Sequence, residues 1–308
     1  MQTNVLLSTA TADDIDAHVE RLLRDLRNPQ PPLSLDQVRA RLQLDLAYYS
    51  ASDVSWLRDK IHQMKVAGEQ ILRAPSSVLR IVRKLDLRAV LLGEKRRILL
   101  DKEAPRPKWR WNQAHEIAHD LLPWHAAVAH GDPDTTLSPA CHTLIEAEAN
   151  YGAGRLLFLG ASLMQSLRAT PMDFGGVLSL HRDYGNTLTS TLWRVVELCL
   201  DASFGLVTQH PCRLAGPPDD YIRYLVRSPA FARDYPTMRA EDLFEQVRQR
   251  CRRGKGPIGA GRFPLTDSEG GTHVIEFECF YNGYDALTLG RRLAPGSPTI
   301  VQPSIRSC

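Results

Sequence analysis

Asn112-Gln113-Ala114-His115-Glu116-Ile117-Ala118-His119-Asp120-Leu121-Leu122-Pro123 holds two histidines four residues apart, with a glutamate directly after the first. Ala114, Ile117, Ala118, Leu121 and Leu122 make the rest of the stretch apolar. The spacing predicts a helix opened by Asn112 as its N-cap and ended by Pro123, whose ring cannot donate to the preceding turn. On a helix, residues four apart lie one turn above each other on one face. Both imidazoles can then reach a single metal ion while the Glu116 carboxylate stands beside it, an arrangement suited to zinc hydrolysis. Burying His115, Glu116 and His119 without a partner would be costly, and a cation removes that cost.

Zinc needs a third protein ligand, leaving the fourth position for water. His125 stands at the separation from His115 found in the extended metzincin pattern, but that pattern requires glycine where this chain has Leu122, and Pro123 follows at once. The next helix, expected over 142–159, offers Glu146 and Glu148 in Leu144-Ile145-Glu146-Ala147-Glu148-Ala149-Asn150-Tyr151. Two residues apart is about 200° around a helix, so at most one of them faces a given metal. Glu148 falls in the stripe of Leu144, Ile145, Tyr151, Gly152 and Leu156 that ought to pack on the first helix, and a carboxylate there needs a cation. Glu148 is therefore the expected third ligand, with Glu146 and His125 as the alternatives. Ala147, Ala149, Gly152, Ala153 and Gly154 keep this helix slim enough for close approach.

Outward from these helices, Arg88-Ala89-Val90-Leu91-Leu92 and Arg97-Ile98-Leu99-Leu100-Asp101 flank a Gly93-Glu94-Lys95-Arg96 turn signal and read as a hairpin. Its second strand is expected to offer an edge to which an extended substrate adds. Ile15, Val19, Leu22, Leu23 and Leu26 predict an N-terminal helix that ends at Asn28-Pro29-Gln30-Pro31-Pro32. After a Ser34 cap, Leu35, Val38, Leu42 and Leu46 continue the helical spacing, and another helical stretch is expected over 57–72. Residues 165–200 read as helical. Beyond them come strands at 203–208 and 274–280, a helix over 240–252, and an Asn282-Gly283 turn returning through Ala286-Leu287-Thr288-Leu289. Arg223, Tyr224, Arg227 and Ser228 read as a solvated helix face. The pattern as a whole is α+β, with a second α+β domain over 201–308.

The chain has 308 residues, 43% of them apolar and 24% charged, enough for about two domains. Its 38 basic and 35 acidic side chains are spread along the chain, unlike the clustered basic excess of nucleic-acid binders, so duplex binding through residues 35–72 is not expected. No apolar run approaches the length of a membrane span, and the first residues lack a basic n-region, so a cytoplasmic location is expected. Six cysteines without a dense framework fit reduced thiols.

A hairpin feeding a His-Glu-x-x-His helix, followed on another helix by Glu148-Ala149-Asn150, resembles the ImmA/IrrE family of cytoplasmic metallopeptidases. The resemblance covers 88–159 and rests on 97–101, 109–122 and 146–157. It implies a zincin-like metallopeptidase domain over 1–165, a helical connecting segment over 166–200, and a C-terminal domain with a sensory or substrate-binding role. It also implies that His115, His119 and Glu148 bind Zn²⁺ and that Glu116 is the catalytic base. The substrate class it implies is a helix-turn-helix repressor of mobile-element or stress-response genes. The alternative is a non-hydrolytic zinc-binding regulator that docks a repressor or antitoxin. Intact Glu116 favours hydrolysis, since a purely structural site needs ligands but no base.

Overall fold

Ser8 and Ser34 open the first two helices, each hydroxyl accepting a backbone N–H of the first turn, from Thr11 and Gln37 respectively. The helices are α1 (Thr9–Asp25) and α2 (Leu35–Leu42). This computed structural model describes residues 2–49, 89–92, 97–103, 105–125 and 139–293, and the helix expected over 57–72 lies outside them. The chain is α+β and divides into two compact units. One comprises Leu7–Leu163 with Tyr184–Asn186, the other Met1–Leu6, Met164–Asp183 and Thr187–Cys308. The stretch expected as a connecting segment thus belongs almost wholly to the second unit.

In the first unit, α2 ends at Gln43 in the left-handed conformation (φ 56°), and the chain leaves the helix there. Leu46, expected to continue the helical spacing, sits instead in strand β2 (Asp45–Tyr49). The backbone of β2 pairs in parallel with β4 (Arg97–Asp101), which pairs antiparallel with β3 (Ala89–Leu92), giving the order β2-β4-β3. The hairpin is present, but its second strand is central. The expectation of a free edge on Arg97–Asp101 is corrected, because β2 satisfies the backbone groups that would have met a substrate.

Helix α3 (Arg106–Leu121) begins well before Asn112, with Pro105 preceding it and Pro107 in its first turn, where a missing N–H costs nothing. It stops where expected. Leu122 is extended (φ −97°, ψ 104°), as the residue before a proline prefers. Helix α4 (Pro139–Leu157) crosses it at close range: a Cβ on Gly152 would lie 3.1 Å from Ala118 Cβ and 3.5 Å from Ile15 Cγ2. Ile15, Val19, Ala114, Ile117, Ala118, Ala149, Ala153 and Leu156 are buried around this crossing. Buried Arg155 ties α4 to α1 through Asp16 (2.5 Å) and Glu20 (3.7 Å). Asn186 accepts from Arg110 of α3 and donates to the Leu157 carbonyl at the end of α4.

The second unit contains α5 (Ala161–Ala169, from Met164 on), α6 (Phe174–Tyr184, to Asp183) and α7 (Leu188–Glu197), followed by a six-stranded sheet. Its strands are β1 (Gln2–Thr3), β5 (Ser203–Thr208), β6 (Ile222–Arg227), β7 (Gly256–Thr266), β8 (Thr272–Tyr281) and β9 (Ala286–Arg292), in the order β1-β6-β5-β9-β8-β7. Helices α8 (Pro229–Asp234) and α9 (Ala240–Arg248) contribute Phe231, Leu243, Phe244 and Val247 to a core shared with Phe204, Phe263, Ile275 and Phe277. Arg223, Tyr224 and Arg227 lie on β6 and not on a helix, because pairing with β5 fixes an extended backbone there. Cys199, Cys251 and Cys279 are free thiols, whereas Cys212 is disulfide-bonded, which corrects the expectation of reduced thiols at that residue. Among the described residues no helix is long and apolar enough to cross a membrane.

Candidate metal centre

The i, i+4 spacing on α3 brings the rings of His115 and His119 together, their Nε2 atoms 3.2 Å apart. Across the crossing, α4 supplies Glu146, whose Oε2 lies 3.2 Å from His115 Nε2 and whose Oε1 lies 3.6 Å from His119 Nε2. One donor atom from each of these three residues lies within 4.8 Å of the others, a group that could hold a metal ion. Ligands bound to tetrahedral zinc at its usual bond lengths stand about 3.3 Å apart, so the donor spacings suit it. The rings are largely covered, at 16% and 19% side-chain exposure, while Glu146 is 40% exposed, which leaves the group open on the carboxylate side.

The electrostatics also favour a cation. Burial alone would lower the His115 pKa, but the hydrogen bond to Glu146, the negative charges of Glu116 and Glu146 and the hydrogen bond to Asn150 outweigh it, so the pKa is raised. His115 Nδ1 meets Asn150 Oδ1 at 3.1 Å, and since an amide oxygen only accepts, Nδ1 donates there and Nε2 is the ring atom turned towards the group. Glu116 is buried on the same helix, one residue from His115.

Glu148 is not part of this group. It is buried, and its Oε2 accepts from Trp124 Nε1 (2.7 Å) and pairs with His125 Nε2 (2.9 Å). The expectation that Glu148 would be the third donor is corrected: a carboxylate inside the packing stripe did need partners, and an indole N–H and a third imidazole supply them. His125 is buried as well and also stands outside the group, with its Nδ1 2.9 Å from His119 Nδ1. Burial lowers the His125 pKa despite the opposing pull of Glu148.

No family model and no curated protein matches this chain. Its fold is similar to a solved one. A Mycobacterium tuberculosis transcriptional regulator superposes with a TM-score of 0.50 at 12% identity, over 94% of each chain. At that identity the likeness speaks for the fold alone, and the resemblance to ImmA/IrrE peptidases rests on the motif residues.

Sequence reasoning gave Asn150 no role at His115 and ranked Glu146 second. The signal that would have found both is the one that finds the histidines: Glu146 and Asn150 are also four apart, on one face of α4, so a carboxylate donor and the acceptor for the first imidazole arrive together.

Proposed function

We propose that this chain is a zinc-dependent peptidase of the ImmA/IrrE kind, with His115, His119 and Glu146 as metal ligands and Glu116 as general base. The observation that carries the proposal is the convergence of three donors from two helices at zinc-compatible spacing. Bound zinc would supply a lowered pKa for the attacking water and a positive charge for the oxyanion of the scissile carbonyl. The chain's own residues do the rest. Asn150 holds the His115 ring with Nε2 turned towards Glu146 and His119, and Glu116 would take a proton from the attacking water on a carboxylate oxygen and return it to the leaving amine. The proposed substrate is a helix-turn-helix repressor. That choice is supported by the motif resemblance of residues 97–101, 109–122 and 146–157. Residues 201–308 are proposed to sense a signal or to hold that substrate.

Glu116→Gln tests the chemistry. It is expected to bind zinc as the wild type does and to cleave a co-encoded repressor about 10²–10⁴-fold more slowly. Cleavage at the wild-type rate would remove Glu116 from the base role. The alternative, a zinc-dependent regulator that docks its partner uncut, predicts a stable complex and no new termini in the repressor even with the wild-type chain.

A further inference from the structure

His119, His125, Glu148 and Trp124 form a continuous hydrogen-bonded series whose direction follows from proton counting. Glu148 Oε2 takes one bond from Trp124 Nε1–H and one from His125 Nε2, and an ionised carboxylate can only accept, so His125 carries its proton on Nε2. In a neutral imidazole the other nitrogen is then bare, so His125 Nδ1 is an acceptor. Its neighbour at 2.9 Å, His119 Nδ1, must therefore be the donor. A neutral His119 with its proton on Nδ1 has its lone pair on Nε2, the atom that faces His115 Nε2 and Glu146 Oε1.

We infer that His125 and Glu148 are positioning residues, a buried relay that locks His119 into the Nδ1–H tautomer and fixes its ring so that Nε2 is presented to the metal. This rests on the metal reading above and deepens it. The first imidazole is oriented by Asn150 of α4. The second is oriented by a longer path through His125, just beyond the end of α3, to Glu148 of α4. Both partners in that path are buried, so water cannot replace either one in the way it can replace an exposed partner. The relay also accounts for a carboxylate and an imidazole in a core that would otherwise favour apolar side chains. Removing an outer partner of a metal-bound histidine typically lowers metal affinity 10–100-fold.

The test uses the full chain, zinc alone as the ligand, and two readouts. These are zinc affinity by competition with a chromophoric chelator, and the ¹⁵N resonances of the histidine rings, which report which nitrogen is protonated. His125→Leu is expected to lower zinc affinity about 10–100-fold and to remove the Nδ1–H signature of His119 in the metal-free protein. His125→Asn places an amide oxygen where Nδ1 stood, and is expected to recover most of both. Glu148→Gln keeps an acceptor but loses the charge, and should fall between the wild type and His125→Leu. It also provides a second route should the leucine protein fail to fold. Wild-type affinity and unchanged ring spectra in His125→Leu, or equal losses in the leucine and asparagine proteins with the tautomer intact, would overturn the relay. A wild-type chain that binds no zinc would overturn the metal reading and the relay with it, whereas wild-type binding that these variants leave untouched overturns the relay alone.

Discussion

Glu146 and Glu148 sit two positions apart on α4 and have different partners, so they separate the possible ligand sets. Glu146→Ala removes one of three donors, and zinc retained after dialysis is expected to fall from about one equivalent to none. Glu148→Ala should still reach one equivalent at saturating zinc, with only the loss expected of an outer partner, roughly 10–100-fold. Elemental analysis across a zinc titration distinguishes the two, and the reverse pattern would restore Glu148 as the ligand. The His-Glu-x-x-His pair was legible because its chemistry needs only helical spacing. The third donor was not, because two physical demands compete for a carboxylate next to an apolar stripe. It can face a cation, or it can be satisfied by N–H donors, and the donors here, Trp124 Nε1 and His125 Nε2, come from a segment beyond the helix whose path the motif does not specify.

At the scale of elements, the donor group exists because α3 and α4 approach at Gly152, where a Cβ would lie 3.1 Å from Ala118 Cβ. Gly152→Leu is expected to drive the helices apart, destabilise the unit by about 1–3 kcal/mol through overpacking, and weaken zinc binding although no donor has changed. Thermal denaturation with and without zinc checks this, and a Gly152→Leu protein with wild-type stability and affinity would show that the close approach does not position the donors. The helices of this unit were legible from period and, in part, from caps: Ser34 and Pro123 act where their chemistry places them, whereas Asn112, expected as a cap, lies inside α3. The strands were less so. β2 reads as helix because Leu46 continues the spacing of α2, until the left-handed Gln43 breaks the run. β7 reads as loop because it contains Gly256, Pro257, Gly259, Gly261 and Pro264. Those residues are compatible with a strand here because β7 lies at the outer end of the sheet, and because a side chain at Gly261 would collide with Arg250.

On the scale of the whole molecule, each unit has its own sheet, so a perturbation can be assigned to one of them. In the six-stranded sheet, Glu276 of β8 accepts from Arg262 of β7 (2.9 Å from Nε, 2.8 Å from Nη2) and from Arg291 of β9 (2.9 Å), a charge cluster across three strands. Burial would raise its carboxyl pKa, but hydrogen bonds and charge from the two arginines outweigh that and hold it below the ordinary 4.5. A carboxylate with a depressed folded-state pKa contributes stability that is fully present above its unfolded value. That contribution is lost as pH falls through the folded value, because the unfolded chain takes up the proton first. The window therefore opens near pH 4.5 and extends downwards. Because Glu276 remains partly open to solvent, the contribution is on the order of 1 kcal/mol, the scale of screened ion pairs. Glu276→Gln should lower the unfolding free energy at pH 7 by that amount, seen as a lower urea midpoint, and differ progressively less from wild type as pH falls below about 4.5. Urea titrations of both proteins between neutral and acid pH, followed by circular dichroism, test this, and a constant gap across that range would show that the carboxylate's charge is not what the two arginines stabilise.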